Sequence, residues 1–213
     1  MARTKQEMVA DFRRGAILDA ARTVFARRGF AGGILDEIAQ EAGIAKGTVY
    51  LYFKSKTEIY KAVLDHDMQM LKGSTLERVQ AATGLREKIA AFTLVRLQNG
   101  DARREFFRIM DQEQDGQEQQ GGVEQQNLTM TRAQYNDWLR EPVELLAAAI
   151  AESAARGEIR PVEAGKVAWS IADMTRGSIQ RRLLGQSGGT VEEEAAYLTE
   201  FAWAALTWAQ RAE

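Results

Sequence analysis

The sequence lacks cysteine, and it contains two prolines and one histidine in 213 residues. The absence of cysteine excludes disulfides, thiol catalysis and thiolate metal sites. The lone histidine, His66, cannot by itself form a multi-histidine metal site. No apolar run approaches the roughly 18 residues that a membrane span requires. The first residues also lack the apolar core of a signal peptide, so we expect a cytoplasmic protein without membrane partners.

The remaining composition, 45% apolar and 27% charged, is typical of a globular protein. The scarcity of proline and the abundance of Ala, Glu, Arg and Leu predict an almost entirely helical chain. The sequence contains no glycine-rich phosphate loop and no motif that places a nucleophile beside a base. It therefore argues against an enzyme, and we expect no cofactor and no metal.

The charges divide unevenly along the chain. Residues 1–60 hold ten Lys and Arg against seven Asp and Glu, a net charge of +3, whereas the whole chain carries −2. This asymmetry permits an anionic partner at the N-terminal end, although scattered solvated charges explain it equally well.

Helical patterns follow one another through the first quarter of the chain. Apolar side chains from Ile17 to Phe25 have the spacing of an amphipathic helix, and a glycine at Gly29 terminates it. A second short helix ends at Gly43, and a third extends from Lys46 to Phe53. Two short helices joined by a tight turn, packed on a preceding helix, indicate a helix-turn-helix motif over residues 35–53.

The side chains near the third helix suit nucleic-acid recognition. Lysines can bind guanine or phosphate, a glycine allows close backbone approach, a threonine offers a hydroxyl and a methyl group, and tyrosines can donate to phosphates. The predicted DNA-binding residues are Lys46, Gly47, Thr48, Tyr50, Tyr52, Lys54 and Lys56.

The segment GFAGGILDEIAQEAGIAKGTVYLYFKSKTEIY resembles the DNA-binding domain of TetR/AcrR-type transcriptional repressors. Two positions depart from that resemblance, because Gly33 and Ala45 replace the hydroxyl residues that usually cap the second and third helices. The shared positions are Gly29, Phe30, Ile38, Ala39, Ala42, Gly43, Ile44, Gly47, Thr48, Val49, Tyr50, Tyr52, Phe53, Ser55 and Lys56.

The resemblance implies an all-α protein with two parts. Residues 1–60 would form a three-helix DNA-binding domain, and residues 61–213 a larger helical domain for effector binding and dimerisation. Such a dimer would read a palindromic operator, most simply as a repressor, and a small-molecule effector would release it. The helix that begins after Ser55 would transmit the signal. A helical adaptor or ligand-binding protein with little DNA binding remains the alternative.

The C-terminal helices carry apolar residues on more than one face. One face can belong to the domain core and the other to a two-fold partner, although a wholly internal helix pair remains the alternative. The predicted homodimer interface includes Ile171, Ile179, Phe201 and Ala205.

Aromatic residues concentrate between these helices and the N-terminal domain, and a role confined to the core explains most of them. The resemblance implies that part of this set lines an effector cavity, where Arg96, Arg108 or Arg176 can orient a polar group. The predicted pocket residues are Phe92, Phe106, Phe107, Trp138 and Trp169.

Overall fold

A computed structural model of the chain describes residues 4–32, 34–102 and 132–207. These residues form eight helices and no strand, which confirms the predicted all-α fold class. The helices are α1 (Lys5–Gly32), α2 (Leu35–Glu41), α3 (Lys46–Tyr52), α4 (Lys56–Ala81), α5 (Leu85–Ala102), α6 (Arg132–Ala155), α7 (Ala164–Leu183) and α8 (Val191–Thr207).

The described chain divides into two compact units. The first contains residues 4–32 and 34–68, and the second contains residues 69–102 and 132–207. The division falls within α4, which therefore begins in one unit and ends in the other. The assignment of residues 1–60 to DNA binding and 61–213 to effector binding and dimerisation stays a prediction.

Local sequence signals set the helix ends of the first unit. Thr4 and Glu7 form a capping box at the start of α1, because each side chain accepts the other residue's backbone N–H, at 3.2 and 2.7 Å. Gly29 interrupts the helical geometry of α1 with a φ of 70°. Ser55 Oγ accepts the Glu58 N–H at 3.1 Å and caps α4.

The core of the first unit consists of the apolar faces of α1 to α4. It includes the predicted amphipathic stripe of α1 and the inner residues of the two short helices. Its largest buried members are Ile17, Phe25, Ile38, Phe53, Ile59 and Tyr60. This core fixes which face of α3 turns inward.

In the second unit, α5 packs against α6, α7 and α8, and α6 also packs against α7. A Cβ placed on Gly100 of α5 would lie 2.9 Å from Ile179 Cγ2 of α7, so the glycine allows these helices to approach closely. The core includes Val79, Ile89, Phe92, Leu139, Val143, Leu146, Ile150, Ala168 and Ile171.

Pro142 lies inside α6, and although a proline often kinks or divides a helix, α6 continues through it as one helix. Proline removes a backbone hydrogen bond and costs about 3 kcal/mol inside a helix. Leu139, Val143, Leu146 and Ile150 are buried along one face of α6. Burial of each such side chain contributes about 1.5–3 kcal/mol, so packing outweighs the cost of the proline.

Candidate nucleic-acid interface

The turn between α2 and α3 has the geometry of a helix ended by glycine. Gly43 has a φ of 66°, and its N–H donates to the Gln40 carbonyl at 3.1 Å. The Ile44 N–H donates to the Ala39 carbonyl at 3.0 Å, which completes a Schellman motif. The side chain of Ile44 packs against the core of the first unit. The turn therefore positions α3 firmly against α2.

The starts of both short helices lack side-chain caps. The residue that precedes α2 is Ile34, not Gly33 as the sequence predicted, and Gly33 lies outside the described residues. Ala45 precedes α3 with an extended backbone, and neither Ile34 nor Ala45 makes a side-chain capping bond. Asp36 and Glu37 in the first turn of α2 stabilise its N-terminus through the helix dipole.

Lys46, Gly47 and Tyr50 are exposed on α3, whereas Val49 of the same helix is buried. Thr48 is half-buried beside them. Leu51, which is not among the predicted DNA-binding residues, is 82% exposed on the same helix. Its position two residues from the apolar Val49 was the signal, because such spacing places a helical side chain on the opposite face.

The other predicted residues of this set contribute differently. Tyr52 is half-buried and packs against the core, while Lys54 is exposed. Lys56 Nζ donates to the Phe30 carbonyl oxygen at 2.7 Å and lies 4.5 Å from the centre of the Phe30 ring. Lys56 therefore connects the start of α4 to the end of α1, a structural role that the sequence did not indicate.

Acidic residues of α2 pair with the basic residues around them. Asp36 Oδ2 lies 3.0 Å from Lys46 Nζ, and this hydrogen bond raises the pKa of the Lys46 ammonium. Glu37 lies 2.9 Å from an Arg28 nitrogen, and Glu41 pairs with Arg27. All three pairs are at the surface, where such ion pairs contribute little to stability.

The predicted pocket residues lie in the second unit where they are described. Phe92 is completely buried, and the half-buried Trp138 and Trp169 pack against the same core. Phe106 and Phe107 lie outside the described residues, as does Arg108.

The four predicted interface residues separate into two pairs. Phe201 is 55% exposed on α8, where its ring stacks on that of Tyr197, and Ala205 is exposed on the same helix. Ile171 is 2% exposed within the core of its own chain, and Ile179 packs against Gly100. Ile171 is therefore covered by its own chain, which argues against its place in the predicted interface, whereas Ile179 is half-buried and its place there stays a prediction.

The first unit matches a known family of sequences. Residues 17–63 match the family model described as "Bacterial regulatory proteins, tetR family". This part of the chain is therefore similar to the TetR family. The matched residues include the whole of α2 and α3 and the turn between them.

Curated relatives resemble this chain over part of their length. The HTH-type transcriptional activator FasR of Mycolicibacterium smegmatis is 38% identical over 81 residues, which are 38% of this chain and 37% of that protein. The HTH-type transcriptional regulator SrpR of Pseudomonas putida is 44% identical over 64 residues, 30% of each chain. The matches thus span about a third of these relatives.

Solved structures resemble the chain over most of its length. The fatty acid degradation regulator FadR from Bacillus halodurans has a TM-score of 0.66 and 19% identity, covering 90% of this chain and 98% of that one. FadR from Bacillus subtilis, solved in complex with stearoyl-CoA, has a TM-score of 0.64 and 22% identity, with coverages of 88% and 96%. At these identities the likeness shows the fold. Within the described ranges, no helix is long and apolar enough to cross a membrane.

Proposed function

We propose that this protein is a TetR-type, dimeric DNA-binding transcriptional regulator, a repressor that a small-molecule effector releases from a palindromic operator. The observation that carries the proposal is the exposure of Lys46, Gly47 and Tyr50 on α3, a helix that the buried Val49 fixes to the core of the first unit. In helix-turn-helix proteins, the second helix enters the major groove and its N-terminal residues contact base edges.

The stacked, exposed rings of Tyr197 and Phe201 support a homodimer. An isolated domain rarely leaves two neighbouring aromatic rings in water, whereas a two-fold interface buries such a face against its own copy. A two-fold dimer reads two half-sites whose centres are about 34–36 Å apart or a multiple of one helical turn.

Two observations support an effector in the second unit. Structural neighbours include a FadR solved with stearoyl-CoA and the ketosteroid regulator KstR2 of Mycobacterium tuberculosis. In this chain, α4 begins in the first unit and ends in the second. It is therefore a continuous helix through which effector binding can change the position of α3, the proposed recognition helix. Catalysis is not part of this proposal.

The test is a mobility shift on genomic fragments that the purified protein retains, followed by sequencing of those fragments. We expect a shared palindrome and a complex that weakens steeply with salt. Light scattering should give about twice the chain mass of 23.7 kDa. A protein that retains no DNA at low salt would instead be a helical adaptor. A gene whose expression falls when the regulator is deleted would indicate an activator.

A further inference from the structure

Arg96 of α5 is a buried cation whose hydrogen-bonding capacity is incompletely used. Its side chain is 1% exposed. One terminal nitrogen donates to the Ala172 carbonyl at 3.2 Å, and the other donates to the Tyr135 hydroxyl. The Nε–H has no acceptor, and no carboxylate of the described residues pairs with the guanidinium. Arg96 therefore carries a buried charge without a counter-ion in this part of the chain.

A second buried donor without an acceptor lies close by. The indole Nε1–H of Trp138 is buried and has no hydrogen-bond partner among the described residues. The Tyr135 ring connects the two donors, because its hydroxyl accepts from Arg96 and its centroid is 6.1 Å from that of Trp138. The guanidinium carbon of Arg176 lies 5.1 Å from the centre of the same Tyr135 ring. We call Arg96, Tyr135, Trp138 and Arg176 the Arg96 cluster.

The unpaired groups of the Arg96 cluster do not stabilise the fold. A buried charge without a counter-ion is strongly unfavourable, and a buried N–H without an acceptor adds to that cost. The Phe92 ring, 5.0 Å from the Arg96 guanidinium carbon, offers a cation–π contact but no hydrogen-bond acceptor. An anionic acceptor would be the hydrogen-bond partner that Arg96 Nε–H and Trp138 Nε1–H lack among the described residues.

We propose that the Arg96 cluster binds the carboxylate of an acidic small molecule with an apolar body. This inference rests on the proposed function, because it names the chemical class of the effector. A carboxylate only accepts hydrogen bonds, and its two oxygens suit an arginine Nε–H and an indole N–H. Phe92, Trp138 and their core neighbours provide apolar surface for the rest of the molecule. Tyr135, Trp138 and Arg176 are half-buried, so the cluster reaches the surface of the described structure.

The test compares acids with their uncharged amides, which have nearly the same shape. The probes are octanoate with octanamide and 4-phenylbutyrate with 4-phenylbutyramide, added to the full chain at neutral pH. Calorimetric titration and thermal unfolding measure binding, since a ligand of the folded state stabilises it by mass action. We expect at least one acid to bind about tenfold or more tightly than its amide.

Variants then assign that preference to the cluster. Arg96→Met should remove the difference between acid and amide, Arg96→Lys should keep part of it, and Trp138→Phe should reduce it several-fold. Arg86→Met is the matched control, because Arg86 lies on the same helix but is exposed and paired with Glu200. The control should bind the acid as the unchanged protein does. If Arg96→Met does not fold by circular dichroism, Trp138→Phe and Arg176→Gln replace it in the comparison.

Three results would overturn the inference: no binding of either acid, equal binding of acid and amide, or undiminished acid preference in the variants. A mobility shift without ligand separates this inference from the proposed function. Intact DNA binding with no acid preference overturns the acid site alone. Acid binding by a protein that binds no DNA overturns the regulator instead.

Discussion

Arg22 of α1 and Asp67 of α4 form an ion pair inside the first unit. Arg22 Nε lies 3.0 Å from one carboxylate oxygen, and Nη2 bonds the other. The side chain of Asp67 is 1% exposed, and Asp19 also accepts from Arg22 at 2.7 Å. Burial opposes the charge of Arg22, but its hydrogen bonds with these carboxylates outweigh that effect and raise its pKa. The pair therefore connects α1 to α4 within the first unit.

Arg22→Met should destabilise the protein by about 3 kcal/mol, because it leaves the buried Asp67 without its arginine partner. Urea unfolding of the full chain measures this free energy. Arg28→Met provides the control, since the Arg28–Glu37 pair is at the surface and should contribute less than about 1 kcal/mol. Equal losses of unfolding free energy in both variants would show that the burial of Asp67 does not determine how much the Arg22–Asp67 pair stabilises the protein.

Asp36→Asn should tighten DNA binding. The substitution removes an anion beside the recognition helix and frees Lys46, now 3.0 Å from Asp36, to neutralise a phosphate. The slope of log K against log salt should become steeper by up to about 0.9. Fluorescence anisotropy at several salt concentrations measures both quantities. Glu77→Gln, which removes an exposed acid from α4, should leave them unchanged. Weaker binding by Asp36→Asn would mean that Asp36 positions Lys46 for recognition.

Lys46→Ala and Thr48→Ala should relax sequence preference, since a good side-chain contact to a base edge discriminates by about 1–3 kcal/mol. Lys54→Ala should instead weaken all sequences alike and lower the salt slope by about 1. Lys54 suits this comparison better than Lys56, whose ammonium supports the fold through Phe30. Selection from a random DNA library measures preference. A preferred site that is unchanged in Lys46→Ala would contradict its base-reading role.

Gly100→Ala and Gly73→Ala should change stability in opposite directions. At Gly100 the added methyl group meets Ile179 Cγ2 at 2.9 Å, and overpacking costs about 1–3 kcal/mol. At Gly73, inside α4, nothing lies within 4 Å of the added methyl group. The higher helix propensity of alanine should therefore stabilise the protein by up to about 1 kcal/mol. Denaturant midpoints compare the two, and a gain in Gly100→Ala would show that α5 and α7 separate easily.

Ala205→Glu should dissociate the proposed dimer. The exposed Ala205 shares a helix with Tyr197 and Phe201, so a two-fold interface would bring two added carboxylates close together. Like charges in an interface cost several kcal/mol. Sedimentation at micromolar concentration should show a shift from about twice 23.7 kDa to the monomer. Ala148→Glu, at an exposed position of α6, is the charge-matched control. A dimer that survives Ala205→Glu places the interface elsewhere.

The sequence by itself determined the features that depend on neighbours along the chain. Apolar spacing identified Ile17 and Phe25 as buried residues of α1, and the residue types predicted the turn at Gly43. Helix periodicity, a positive φ and a side-chain cap each depend on a few consecutive residues. The same short-range pattern carried the family resemblance in the first quarter of the chain.

Tertiary structure alone decided the features that depend on distant residues. It decided that α6 continues through Pro142, that Ile171 turns into its own core, and that Lys56 supports Phe30. It also left the buried Arg96 without a described carboxylate partner. No local pattern contains this information, because packing against another helix determines which of several apolar faces is buried and which charge finds a partner.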